Sequence, residues 1–315
     1  SWSNVTKTLN STAGIVVQWR VWANDTSTNW NDTGTLSLKI TQPSITPPSI
    51  LPYIFLTGIA SIGVILGVVW KKKGAGSKFV GFEFFNEIIG GGIPVGSSVL
   101  IIGGPASGKS ILSQQLAHKY LTEKKACIFI SYDNFPSKIR ENMKNFGWDL
   151  STYEQEGAFT FTDCYSSLAG TTSQERHSVQ EPFALTELSI ATSTALEEIT
   201  DMPKAMFLDS ATSLFTNLDA SRVIRFLQDR GAKIKANDGI FVFTIGKGTV
   251  APHFINRLEE TVDCIIELEV YEEQGKNFRR MRVKKLRGQS YLDEWIMFKI
   301  KPNYGLVFLR PKKVK

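Results

Sequence analysis

An α/β fold, with a mostly parallel sheet flanked by helices and antiparallel strands added toward the C-terminus, is the class predicted for this sequence after residue 78. Three observations point to it. First, the apolar run at residues 97–102 feeds the glycine-rich octet 103–110. Residues 111–121 follow, in which Leu112, Leu116, Ala117 and Tyr120 mark a helical face. Second, strand-like and helix-like segments then alternate: a strand at 126–132, a helix at 137–146, a strand at 205–208, a helix at 221–236 and a strand at 240–245. Such alternation gives a sheet with helices on both faces. Third, from Cys264 onward strand-like runs succeed one another at 265–270, 278–286, 295–300 and 306–309, as antiparallel hairpins extending the sheet would.

The segments before this domain have a different character. Residues 1–49 are rich in Thr, Ser and Asn and carry Asn-x-Ser/Thr sequons at Asn4, Asn10, Asn24 and Asn31. Alternation at 15–22 and 35–40 suggests two half-buried strands, like the closing strands of an extracellular β-sandwich. A sandwich needs about seven strands, so either upstream sequence is missing or this piece is poorly ordered. The start at Ser1 leaves open a removed leader or a fragment. A Pro-rich linker, residues 41–48, leads to residues 50–70, which hold no charged residue and match the roughly 20 residues of a membrane-spanning helix. Lys71, Lys72 and Lys73 follow, so the expectation is a single-pass protein with its N-terminus outside and the α/β domain in the cytoplasm. Gly63 and Gly67 form a GxxxG pattern suited to helix packing. Within the domain, residues 164–182 are polar and aperiodic and read as a mobile loop.

With 315 residues, burial of a sizeable core is not limiting. The net charge of +6 raises the question of nucleic acid, but the juxtamembrane lysines 71–73 and 78 and the tail Arg310, Lys312, Lys313 and Lys315 hold much of the excess locally. Cys127, Cys164 and Cys264 form no CxxC or Cys/His cluster and read as reduced core thiols. His118, His177 and His253 are scattered and are assigned no chemistry.

The octet Gly103-Gly104-Pro105-Ala106-Ser107-Gly108-Lys109-Ser110 fits GxxxxGK[ST] between a strand and a helix, which is the context a phosphate loop needs. Glycines let backbone N–H groups curl around a β-phosphate, Lys109 supplies a point charge to the β/γ oxygens, and the Ser110 hydroxyl can ligate Mg²⁺. Residues 205–208 are apolar and end at Asp209. Ligands of open α/β sheets sit at the carboxyl ends of the strands, so Asp209 should meet the Mg²⁺ water shell beside Ser110. Lys247 reads as a turn lysine, with phosphate sensing as the alternative.

Several of these residues, taken in order, resemble the KaiC-like branch of the RecA superfamily. They are Gly81-Phe82, the stretch 90–96 leading into the phosphate loop, Asn145-Phe146-Gly147-Trp148-Asp149-Leu150, Phe207-Leu208-Asp209-Ser210 and Lys285-Leu286-Arg287-Gly288. The resemblance covers residues 79–309 and implies a RecA-like ATP-binding domain. In that family two glutamates after the second strand polarise the attacking water. The matching positions here are Asp133 and Asn134. One carboxylate is shortened and the other is replaced by an amide, so slow or absent hydrolysis is expected, because a displacement of about 1 Å can cost a hundredfold in rate. The resemblance also implies that Lys285 and Arg287 reach the γ-phosphate of a neighbouring subunit in a ring-like homo-oligomer. Their spacing puts both on one strand face. A solvated basic strand is the alternative, since Arg279, Arg280 and Arg282 lie nearby.

The expected function is therefore Mg·ATP binding with slow hydrolysis, coupled to assembly or signalling through a protein partner that the sequence does not name. A non-hydrolysing ATP switch, similar to the KaiC-like subunit of the archaeal filament motor, is the second class, and Asn134 favours it. A DNA-handling recombinase relative is the third, disfavoured by the expected tether and by the lack of a separate DNA-binding domain.

Overall fold

The computed structural model describes residues 83–199 and 202–309, together with the strand segments 16–19, 22–24, 30–32, 36–39 and 79–80. The chain divides into two units, Ser1–Trp70 and Lys71–Lys315. In the first, β1 (Val16–Trp19) pairs antiparallel with β4 (Leu36–Lys39), and β2 (Trp22–Asn24) pairs antiparallel with β3 (Trp30–Asp32). The strand expected at 35–40 is β4, whereas the run expected as one strand at 15–22 holds β1 and the start of β2, which belong to different two-stranded sheets. A seven-stranded sandwich is not present among the described residues of this unit.

The second unit runs β5 (Phe79–Val80), α1 (Glu83–Ile88), β6 (Ser98–Gly103), α2 (Lys109–Thr122), β7 (Ala126–Ser131), α3 (Pro136–Asn145), α4 (Ser151–Gln155), β8 (Phe159–Asp163), α5 (Tyr165–Leu168) and β9 (His177–Ser178). It continues with α6 (Leu185–Glu198), β10 (Lys204–Asp209), α7 (Thr212–Asn217), α8 (Ala220–Lys235), β11 (Ile240–Gly246), α9 (Pro252–Thr261), β12 (Cys264–Glu273), β13 (Lys276–Leu286), β14 (Ile296–Lys301) and β15 (Gly305–Leu309). Its sheet order is β5-β15-β14-β13-β12-β6-β11-β10-β7-β8-β9. The strands from β12 to β9 in that order run parallel, and those from β13 to β5 join them antiparallel.

The central strands read as continuous apolar runs because both of their faces are covered. Alternate residues go to opposite faces. Val99, Ile101 and Phe129 join α1 and α2 on one side, while Leu100, Ile102, Ile128 and Ile130 join α6 and α8 on the other. Helix α8 shows how its sequence builds it. Asp219 caps it by accepting from the Arg222 backbone N–H at 3.1 Å, a contribution of about 1 kcal/mol. Val223, Ile224, Leu227 and Ile234 recur at helical spacing to form the buried stripe.

Two expectations change. The membrane-anchored placement is corrected: among the described residues no helix is long and apolar enough to cross a membrane. That expectation rested on the hydropathy and flanking lysines of residues 50–70, and length and apolarity alone do not make a spanning helix. The segment itself lies outside the described residues. Residues 164–182, expected as a mobile loop, are laid against the sheet. Asp163 accepts from the Ser166 and Ser173 hydroxyls at 2.5 and 2.6 Å, Arg140 forms a two-pronged pair with Glu175 at 2.7 Å, and the Tyr132 hydroxyl donates to the Pro182 carbonyl. Polar residues here serve local anchoring, which periodicity cannot reveal.

Candidate functional site

Four neighbouring parallel strands, β6, β11, β10 and β7, deliver their carboxyl ends to one place. Gly246 sits opposite Gly103, and Asp209 sits opposite Ser131. The connections there are knitted together: the Lys247 N–H donates to the Gly103 carbonyl at 2.9 Å, and the Tyr132 N–H to the Asp209 carbonyl at 2.9 Å.

From this edge the segment 103–110 leaves β6 and turns into α2. Residues 104–107 form a tight turn closed by the Ser107 N–H on the Gly104 carbonyl at 3.4 Å, and Ala106, third in the turn, has φ +55°. A positive φ at that position is what a type II turn demands, with proline before it. Gly108 then takes φ +100° at the helix cap, a conformation that a side chain would strain. Gly103 is needed for space. A Cβ there would stand 2.6 Å from both the Leu268 carbonyl oxygen and the Ser107 hydroxyl. Lys109 Nζ donates to the Gly104 carbonyl at 2.9 Å, and Ser107 Oγ to the same oxygen at 2.8 Å. Burial lowers the Lys109 pKa, while the charges of Asp209 and Asp133 act to raise it.

Asp209 is buried and accepts from Thr244 Oγ1 at 2.6 Å. Burial pushes its carboxyl above the ordinary carboxylate range, against the hydrogen bonds from Thr244 and Ser110. A buried carboxylate beside a serine hydroxyl is a hard-oxygen pair suited to Mg²⁺, which usually keeps several waters and takes few protein ligands. Among the described residues no group of three or more His, Cys, Asp or Glu side chains could hold a metal ion.

Asp133 lies at the same end, close enough to act electrostatically on Lys109 and Asp209. It is exposed and accepts from Ser213 Oγ at 3.2 Å. Asn134, beside it, is exposed. The structure therefore brings residues 103–110, Asp209, Asp133 and Asn134 together.

Lys285 and Arg287 are elsewhere. Lys285 pairs with Ile265, and Leu286 with Cys264 at the amino end of β12, which lies opposite Val99, four residues before Gly103. At the strand rise this is about 13 Å from the phosphate loop. Lys285 Nζ donates to the Glu259 and Glu260 carbonyls at 2.6 and 3.1 Å, capping the C-terminal end of α9, and Arg287 pairs with Asp263 at 3.0 Å. Burial lowers the Lys285 pKa, and the Arg287 charge adds to that effect. Within one chain these cations face away from the phosphate loop. Lys247 is tied down too, its ammonium 2.8 Å from Glu267.

Two residues were not singled out from sequence. Thr244, within an apolar strand, gives no signal beyond its hydroxyl. Arg279, one of several basic residues in β13, places Nε 3.0 Å from the Ala106 carbonyl at the crest of the loop. The three cysteines are free and buried.

A family model described as "ATPase: KaiC" matches residues 80–313. A UPF0273 protein of Methanocaldococcus jannaschii is 33% identical, over 75% of this chain and 97% of its own length. A UPF0273 protein of Methanopyrus kandleri is 30% identical, over 67% of this chain and 83% of its own. The crystal structure of a KaiC-like protein from Pyrococcus horikoshii superposes with a TM-score of 0.59 at 24% identity, covering 72% of this chain and 95% of that one. That likeness concerns the fold.

Proposed function

The chain belongs to the KaiC ATPase family, and on that premise we propose that it binds Mg·ATP at residues 103–110 and Asp209, hydrolyses it slowly, and couples nucleotide state to association of its own copies. One observation carries the reading: a phosphate-loop backbone, a lysine, a serine hydroxyl and a buried carboxylate converge at the carboxyl ends of adjacent strands. The N–H groups at the start of α2 face bound phosphate, and Lys109 exchanges the Gly104 carbonyl for phosphate oxygens. Ser110 and Asp209 would hold the metal, which when bound would neutralise charge on the phosphates. Asp133 orients water from its exposed position. Lys285 and Arg287, directed away from their own loop, act on the nucleotide of a neighbouring copy in a ring.

Slow turnover follows from Asp133 and Asn134. An amide cannot accept a proton, and an aspartate has the shorter reach. These same residues favour a second reading, in which ATP is held without hydrolysis and acts as a switch or scaffold for a protein partner. Phosphate release by the full chain, with Lys109→Ala as the blank, separates the two. Release above the blank supports the ATPase, and release equal to it with ATP retained supports the switch. Loss of all Mg·ATP binding in the unaltered chain would overturn both.

A further inference from the structure

The crest of the phosphate loop is braced by the antiparallel extension of the sheet. Arg279 on β13 is 173 residues from Ala106 in sequence, yet its Nε donates to the Ala106 carbonyl at 3.0 Å. The β13 backbone at this point is fixed on both sides, since Arg279 pairs with Val270 of β12 and with Phe298 of β14. The same wall continues to Gly108. A Cβ placed on that residue would meet Ile300 at 3.4 Å and Phe298 at 3.6 Å.

The bond falls where the loop has least support of its own. Ala106 holds φ +55° without being glycine, a state that L-residues avoid. The peptide beyond it carries the Ser107 N–H, whose turn-closing bond to the Gly104 carbonyl is long at 3.4 Å. A guanidinium on the Ala106 carbonyl fixes the orientation of that peptide and hence the direction of the N–H groups that follow. A lysine could supply the charge without the fixed planar donor geometry.

We propose that Arg279 is a positioning residue for the phosphate loop: it acts through the Ala106 carbonyl to hold residues 106–108 in the phosphate-binding conformation. The inference rests on the reading of residues 103–110 as a nucleotide site, and it adds a requirement from the same chain, separate from any cation contributed by a neighbour.

The test is titration of the full chain with Mg·ATP, for the unaltered protein, Arg279→Ala, Arg279→Lys and Lys109→Ala, each checked for an unchanged thermal transition. Arg279→Ala should weaken ATP binding about tenfold, the equivalent of one charge-assisted hydrogen bond. Arg279→Lys should recover little of it at any salt concentration. Full recovery by lysine would show that only charge matters and would overturn positioning through Ala106. Binding by Arg279→Ala equal to the unaltered protein would overturn the proposal outright. If Arg279→Ala loses its thermal transition, Arg279→Met, which keeps the length of the side chain and removes the donor to Ala106, must give the same weakening or the proposal fails. Should the unaltered protein bind no ATP, the nucleotide reading itself falls, an outcome distinct from the others.

Discussion

Thr244 Oγ1 donates to Asp209 Oδ1 at 2.6 Å, in a place where both residues are sealed from solvent. The bond favours the ionised carboxylate, but burial outweighs it, and the folded-state pKa of Asp209 lies above its ordinary value of 3.8. The folded protein therefore takes up this proton at higher pH than the unfolded chain does. Its contribution to stability is full below the unfolded value and is lost as pH rises through the folded one. Asp209→Asn should accordingly raise the melting temperature of the ligand-free protein at neutral pH by roughly a few degrees, while removing the Mg²⁺-dependent part of ATP binding. A lower melting temperature across the pH range would contradict this account.

Thr244→Val keeps the shape and removes the donor, leaving a buried carboxylate less well satisfied. Denaturant unfolding at pH 7 should show a loss of about 1–3 kcal/mol. Because Asp209→Asn removes the charge that suffers, the same Thr244 change made in that background should cost distinctly less.

Lys285 and Arg287 sit at the opposite end of the sheet from the loop of their own chain. Mixing the Arg287→Ala protein with the Lys109→Ala protein should therefore restore part of the phosphate release that neither shows alone, if the unaltered chain has measurable turnover. Failure of every ratio of the two to exceed their summed background would exclude action across subunits.

Asn134→Glu should raise turnover while leaving the Mg·ATP dissociation constant within about twofold, since the side chain is exposed and an exposed substitution rarely perturbs the fold. Single-turnover phosphate release measures it. An unchanged rate would locate the slow step elsewhere than at the missing carboxylate.

Much of the domain is legible in sequence where one physical signal dominates. The helix expected at 137–146 is α3 at Pro136–Asn145, and the strand expected at 126–132 is β7 at Ala126–Ser131. These stretches combine clear periodicity or burial with good boundaries. The phosphate loop is legible because its turn chemistry requires particular residues at fixed spacing. Helix α6 and strand β8 are not, because Leu185–Glu198 mixes Thr and Ser among its apolar residues and Phe159–Asp163 is short. Arg279 is hidden for a different reason: nothing local distinguishes it from Arg280, which pairs with Glu269, and only the sheet order brings it to Ala106. The role assigned to residues 50–70 shows the converse, where a strong compositional signal lacks any tertiary check.

The pairing of β5 with β15 places the first and last strands of the domain side by side on one sheet edge. On the α2 side, Gln115 donates to the Tyr304 carbonyl at 3.0 Å and accepts from the Leu306 N–H at 2.8 Å. A nascent chain can therefore hold every residue of the phosphate loop and still lack the strand that buttresses the helix behind it. Ribosome-bound intermediates ending before residue 305 should remain protease-sensitive around α2, and competence to grip nucleotide should arise only as synthesis of the domain closes.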